Sequence, residues 1–413
     1  MRVRTVELLP ANTTADLWAI AGGWIAPSMG DAKLMKAFEM AFAHRMGGGH
    51  ASTFSAGRIA LAAILEALDI GDDDEVIVPG YTCVAVPNPV LFRGAKPVYA
   101  DINPSTLNIS VETVTQVITS RTRAIVAQHT FGLPAPMREL AEFAKARGIA
   151  VIEDCTHALG ATLDGAPVGT LSDASFFSFE QTKVVSAGAG GVAFSRDIEL
   201  MRRIASFQSR CVATHSTYAR RMMGHLAYYV ILGDPRWSTR FPHAHYYLHR
   251  LKLIAGPETT EAEMLCEKPP GFERRWSGAQ ARVGLNQLAR LEQNLIQRKA
   301  IADLYASSLA GSQVGVYAPL PGAVPAFVRY PIRVRDKGGL SSEMRLAGIQ
   351  LGLWFTAPVH PAGVPQDRAG YQAGSCPNAE AAVVEVANLP CHPRMILADA
   401  ERVVEVLLKS AHA

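Results

Sequence analysis

The chain has 413 residues, 49% hydrophobic and 19% charged, with 34 Gly and 25 Pro spread along it; this excludes a disordered, collagen-like or disulfide-scaffold protein and is too long for one compact core. Its 40 basic and 37 acidic residues leave a formal charge of +3 without a sustained run of Lys or Arg, which argues against a nucleic-acid partner. The six cysteines (Cys83, Cys155, Cys211, Cys266, Cys376 and Cys391) include no C-x-x-C pair, which argues against a zinc site or a disulfide framework and fits reduced thiols in the cytoplasm.

The N-terminus, MRVRTVELLPANTTADLW, lacks the apolar stretch and cleavage site of a secretion signal. From about residue 50 to residue 200, short β-branched runs alternate with helical patterns, which predicts a parallel sheet covered by helices. Ser55-Ala-Gly-Arg58 opens a segment whose Ile59, Ala62, Leu65 and Leu68 share one helix face. Strands are predicted over 75–79, 96–101 and 123–128. A helix follows over 137–147, with Leu140, Phe143 and Ala144 inward and Gly148 at its C′ position. Two more strands are predicted over 149–153 and 175–179.

Residues from about 200 to 270 are helical in propensity and rich in His, Tyr and Arg, an elaboration on the core. The most apolar window there, 226–232, is far shorter than the roughly 20 residues needed to cross a bilayer. One long helix is predicted over 277–304, with Val283, Leu285, Leu288, Leu291 and Leu295 near one face. Beyond about residue 325, strands such as 327–334 mix with helices. The division that results is a large α/β domain over 1–255 and a smaller C-terminal α+β domain over 256–413.

Asp154 follows the strand 149–153, and Lys183 comes 29 residues later, after the strand 175–179. In an open parallel sheet, catalytic groups gather at the carboxyl ends of the strands. A glycine-rich turn, Ser186-Ala-Gly-Ala-Gly-Gly191, then lets backbone approach a ligand closely. Singly, these residues have plain structural readings: a capping Asp, an ordinary turn, a surface Lys. Together they supply what pyridoxal 5′-phosphate (PLP) needs. That cofactor takes a lysine to hold its aldehyde as a Schiff base, a carboxylate to keep its pyridine nitrogen protonated, and donors for its phosphate. Lys183 and Asp154 fill the first two roles. Gly57 and Arg58 begin a helix, where free N–H groups and the helix dipole favour a phosphate, and Ser178 adds a hydroxyl.

Further stretches carry a family resemblance. Gly71-Asp-Asp-Asp-Glu-Val-Ile-Val-Pro79, Gly94-Ala-Lys-Pro-Val-Tyr-Ala-Asp-Ile102, His129-Thr-Phe-Gly132, Val151-Ile-Glu-Asp154, Phe177-Ser-Phe-Glu-Gln-Thr-Lys183 and Gly190-Gly191 resemble the DegT/DnrJ/StrS aminotransferases. So do Gln280-Ala-Arg-Val-Gly-Leu-Asn-Gln-Leu288, Arg298, Gly348-Ile349, His360-Pro361, Cys376-Pro377 and Leu389-Pro390, so that the resemblance covers about residues 35 to 410. It implies a fold type I PLP-dependent transferase, with a mostly parallel seven-stranded sheet and a homodimer that shares its active sites. The implied reaction moves an amino group from an amino acid, usually glutamate, through pyridoxamine phosphate to a keto-sugar attached to a nucleotide, as in glycan or natural-product biosynthesis.

The resemblance also implies residue roles: Lys183 carries the cofactor and moves protons, Asp154 pairs with the pyridine nitrogen, and His157 lies near the phenolic oxygen. Ala56, Gly57 and Arg58 stand where many members have Ser-Gly-Thr, at the phosphate. The residue that usually stacks on the cofactor ring is here Cys83, which leaves the stacking to Tyr81 or to no residue at all. An Asn that reaches the partner subunit's phosphate aligns with Glu273, leaving Arg274 and Arg275, or a local shift of the chain, to take its place. The family's usual His-Tyr pair in the substrate region reads Trp354-Phe355, beside His360.

No metal is expected. His243, His245 and His249 are spaced so that a helix does not bring them to one face, and Cys155 reads as a small buried residue. In the insertion, Arg220, Arg221, Leu226, Tyr228, Tyr229, Trp237 and Phe241 favour an interface or substrate lid over contact with a membrane surface. Besides the nucleotide-sugar aminotransferase, two other functions are open: the same chemistry on a cyclitol or lipid-linked ketone, and a PLP-binding regulator without turnover.

Overall fold

In the computed structural model, which describes residues 5–233, 243–255 and 259–410, seven strands form the main sheet. They are His50–Phe54 (β1), Glu75–Pro79 (β2), Lys96–Ala100 (β3), Thr122–Gln128 (β4), Ala150–Asp154 (β5), Ala174–Ser178 (β6) and Gly191–Ser195 (β7), in the order β1-β7-β6-β5-β4-β2-β3. Only β7 runs against its neighbours, and the rest of the pairing is parallel. All five residues of β2 are buried, as are six of the seven in β4. Helices cover both faces of such a sheet, which is why these strands read as continuous apolar runs.

The helix Gly57–Ala67 (α1) was expected to bury one face, but residues 59–65 are all buried. It packs between the sheet and the helix Ile198–Arg210 (α2), so even its Ala positions are covered. Its start lies hard against β7. A Cβ on Gly191 would come within 2.5 Å of Ala56 carbonyl C and O and of Gly57 N. Gly191→Ala is therefore expected to push the helix start off the sheet at a cost of about 1–3 kcal/mol, the usual penalty for overpacking. A lowered urea midpoint with an unchanged slope checks this.

The helix Met137–Lys145 ends two residues short of the expected 147, and Gly148, at φ +66°, follows it. The long helix expected over 277–304 is instead two, Gly278–Ala289 (α3) and Leu291–Leu309 (α4). Arg290 sits at the break, where its Nη1 donates to Thr13 Oγ1 at 2.9 Å and its Nη2 pairs with the fully buried Asp16. The change of direction lets α3 pack on the helix Asp31–Arg45 while α4 packs on Leu397–Lys409. A single apolar stripe thus serves two surfaces.

The C-terminal part holds a three-stranded antiparallel sheet of Gly315–Val316, Tyr330–Arg333 and Val386–Leu389. Its central strand is shorter than the expected 327–334. A separate parallel pair joins this part to the main domain, with Val359 opposite Thr82 and His360 opposite Cys83. Among the described residues, the elaboration holds α2, Ser216–Ile231 (α5), Ala244–Arg250 (α6) and Glu261–Met264 (α7). Trp237 and Phe241 lie outside the described residues. Among the described residues, no helix is long and apolar enough to cross a membrane.

Candidate active site

The carboxyl ends of β4, β5 and β6 open into a cavity of about 370 Å³. Gln128, Asp154 and Ser178, the last residues of those strands, all line it. Lys183 enters from the loop after β6, Gly57 and Arg58 from the start of α1, and Cys83 and His360 from the short parallel pair. His157, Trp354 and Phe355 complete the part anticipated from sequence. Ala56, Tyr81 and Arg275 lie outside the cavity lining.

Among the described residues, the Lys183 ammonium has no hydrogen-bond or ion-pair partner; it lies 5.0 Å over the Trp354 ring. Burial pulls its pKa below the usual value, opposed by Glu180, Cys83 and Asp154. The neutral amine, the form that attacks an aldehyde, is thereby favoured. Asp154 is 2% exposed, and its Oδ1 accepts the Thr156 N–H at 2.9 Å. Burial raises its pKa, while the Thr156 hydrogen bonds and the Lys183 charge pull the other way. A buried carboxylate in this state is stabilised by any cation brought beside it.

His157 is held neutral, its pKa pushed well down by burial and then by Lys183 and Arg329. Its Nδ1 accepts the Phe131 N–H at 3.3 Å, which leaves Nε2 as the protonated nitrogen. Its ring stacks between Phe131, at 5.9 Å and 5°, and Trp354, at 5.3 Å and 12°. Tyr81 supports this wall from beneath: its hydroxyl donates to Trp354 O at 3.4 Å and accepts from Phe355 N at 3.2 Å. Cys83 keeps its thiol protonated, its pKa raised by burial.

Arg58 has a partner that the sequence did not disclose. Its Nε and Nη2 reach the two carboxylate oxygens of Glu263, a fully buried residue of α7 whose Oε2 also accepts the Thr260 N–H at 2.8 Å. Glu263→Gln is expected to destabilise the protein by about 3 kcal/mol, since removing one member of a buried pair strands the other. Chemical denaturation of the cofactor-free protein measures this. Ala56, the N-cap of α1, contributes no side-chain cap, so the helix start keeps its capacity for an anion. Arg275 is tied by its backbone to Val212 at 2.8 Å, its Nε buried without a partner, and Glu273 pairs with Lys268 at 2.7 Å.

Several lining residues escaped the sequence reading: Gln128, Thr156, Glu180, Gln181, Thr182 and Thr259. Gln128 was accessible to the strand-end rule that found Asp154. Glu180 to Thr182 lay inside a quoted motif without a role, and Thr259 belongs to the elaboration, for which no pattern exists.

A family model described as the DegT/DnrJ/EryC1/StrS aminotransferase family matches residues 15–408. The chain belongs to this family. GDP-perosamine synthase of Caulobacter vibrioides is 30% identical over 373 residues, which is 90% of this chain and 88% of that protein. GDP-perosamine synthase of Escherichia coli O157:H7 is 38% identical over 188 residues, which is 46% of this chain and 52% of that protein. Among solved structures, Streptomyces venezuelae DesV, in complex with a ketimine intermediate, superposes with a TM-score of 0.75 at 26% identity, covering 95% of this chain and 93% of that one. The fold type I expectation is met, and this DegT-family protein is a PLP-dependent aminotransferase. The donor set fits the cofactor: an unpartnered lysine, a buried strand-end carboxylate, and an uncapped helix start.

Proposed function

We propose that the protein transfers an amino group from an amino acid, glutamate in the first instance, to the ketone of a nucleotide-linked sugar. The observation that carries this reading is the Lys183 ammonium, unpaired and depressed in pKa, in one cavity with Asp154. The acceptor class rests on the activities named for the two perosamine synthases.

When bound, PLP supplies an electron sink for the bonds broken at the donor carbon. Lys183 would hold the aldehyde, and its freed Nζ would accept the proton of the donor's α-carbon and donate it to the carbon on the other side of the imine nitrogen. Asp154 keeps the ring nitrogen protonated. The Nε2–H of His157 serves the phenolic oxygen, and the start of α1, with Arg58 and Ser178, receives the phosphate. Trp354 and Phe355 narrow the cavity and exclude water beside Lys183.

A homodimer goes with this reading. It is supported by the family resemblance and by Trp18, Trp24, Ile25 and Met29, exposed by 89%, 54%, 71% and 66% in one N-terminal stretch that a second copy would cover. The six free thiols fit a reducing compartment such as the cytoplasm.

The test is a pair of half-reactions. L-Glutamate should convert the PLP-loaded protein to its pyridoxamine form, and a panel of nucleotide-linked keto-sugars should contain one that converts it back. A flat response to the whole panel, with conversion by a cyclitol ketone, would replace the acceptor class. Failure of every amino acid to convert the loaded protein would leave a PLP-binding regulator.

A further inference from the structure

Beside the Lys183 cavity, a buried cation has no counter-charge. Arg329 precedes the strand Tyr330–Arg333 and is 8% exposed, yet among the described residues its guanidinium makes no hydrogen bond and no ion pair. Its central carbon lies 3.7 Å over the Trp354 ring. Burial draws its pKa down to about 10, and Glu180 opposes this from beyond ion-pair distance. An arginine stays charged under these conditions, and its nitrogens keep contact with solvent along a cavity wall, so its five N–H donors are open to an acceptor brought from outside.

A second orphan adjoins it. Trp354 N–H donates to Asn388 Oδ1 at 3.2 Å, which fixes the amide orientation and leaves the buried Asn388 Nδ2 without a partner. Both residues crowd Gly352, where a Cβ would lie 2.8 Å from Arg329 Nη1 and 3.0 Å from Asn388 Cβ. Backbone bonds between Gly352 and Asn388, at 2.8 and 2.9 Å, hold the glycine in place. The corner holds a cation and an unpaired amide donor, and no Asp or Glu is among the described residues that line the cavity beside it.

The surroundings suit an anionic ligand. Arg329 and Arg345 line a second cavity of about 330 Å³, which shares Trp354 and His360 with the Lys183 cavity. The Arg329 charge is felt at Lys183, His157 and His360. We propose that Arg329 binds a carboxylate of the amino-acid donor, so that the stacked guanidinium selects donors by that group. This rests on the aminotransferase reading and extends it to recognition of the first substrate. A guanidinium fixed on an indole face presents its edge as a fork that matches a carboxylate. A phosphate of the acceptor has similar chemistry, but the sugar ring separates it from the reacting ketone, whereas an amino acid carries a carboxylate on the carbon that reacts.

Two variants test this: Arg329→Gln, which removes the charge, and Gly352→Ala, which displaces the guanidinium without deleting it. Each is loaded with PLP and titrated with L-glutamate, L-alanine and 2-phenylethylamine, and in pyridoxamine form with the acceptor. Both variants should keep the cofactor absorbance band. The apparent Kd for L-glutamate should rise about 10- to 100-fold, the scale of a hydrogen-bonded ionic contact, while the reaction with 2-phenylethylamine and the acceptor KM stay unchanged. An unchanged Kd for both amino acids overturns the proposal, as does an equal loss with 2-phenylethylamine, which marks a structural role. A raised acceptor KM with unaltered donor binding also overturns it, in favour of a phosphate. If wild-type protein with its band intact reacts with no amino acid, the aminotransferase reading itself falls.

Discussion

Lys183→Ala should abolish amino transfer, with turnover lower by at least about 10⁴-fold, the upper range of what one positioned acid–base group contributes. The substitution removes both the group that holds the aldehyde and the group that carries the proton, and among the described residues no second lysine lines the cavity. The visible band of bound cofactor should disappear with it. The fold should not suffer. A lysine whose folded pKa lies below its unfolded value binds its proton less tightly when folded, so its penalty is full below the folded value, fades as pH rises from the folded to the unfolded value, and is gone above it. Alanine removes that penalty, and thermal unfolding of the cofactor-free variant should begin no earlier than in wild type. Retained turnover would move the chemistry to another residue.

Asp154→Asn should lower turnover about 10- to 1000-fold, because an adjacent opposite charge shifts a pKa by 1 to 3 units and each unit is a tenfold change in protonation. A second signature separates this role from a structural one. Burial holds the Asp154 carboxyl above its ordinary value. Without cofactor, stability therefore declines as pH rises from about 4 through the raised folded value, and the penalty persists above it. The neutral amide escapes this penalty. Cofactor-free Asp154→Asn should melt at or above the wild-type temperature at pH 8, while the stabilisation that wild type gains from added PLP should shrink. A cofactor-free variant that melts early would make Asp154 a structural residue.

Strand ends were the most legible part of the sequence, because buried parallel strands are short, apolar and bounded by turns. That rule placed Asp154 and Lys183 on the cavity. The break at Arg290 was hidden, since the apolar periodicity runs through it and the cause is a tertiary contact with Asp16, more than 270 residues away in sequence. The Glu263 partner of Arg58 was hidden for the same reason, lying in an elaboration that follows no repeating pattern. Tyr81 shows a further limit. The family resemblance put it near the cofactor ring, yet its hydroxyl is bound to the 354–355 backbone, and only the packing of two separate chain segments reveals that. Arg329 drew no notice as one arginine inside a strand-like run, and its significance comes from what fails to contact it.

The most direct test of the central claim is chemical trapping. Purified protein is loaded with PLP, reduced with borohydride and digested, and the peptides are analysed by mass spectrometry. The pyridoxyl group should appear on Lys183, in the peptide that carries Ser178 to Lys183, and be absent when L-glutamate is added before the reductant. Label on another lysine, or no label on protein that shows a cofactor band, would contradict the assignment.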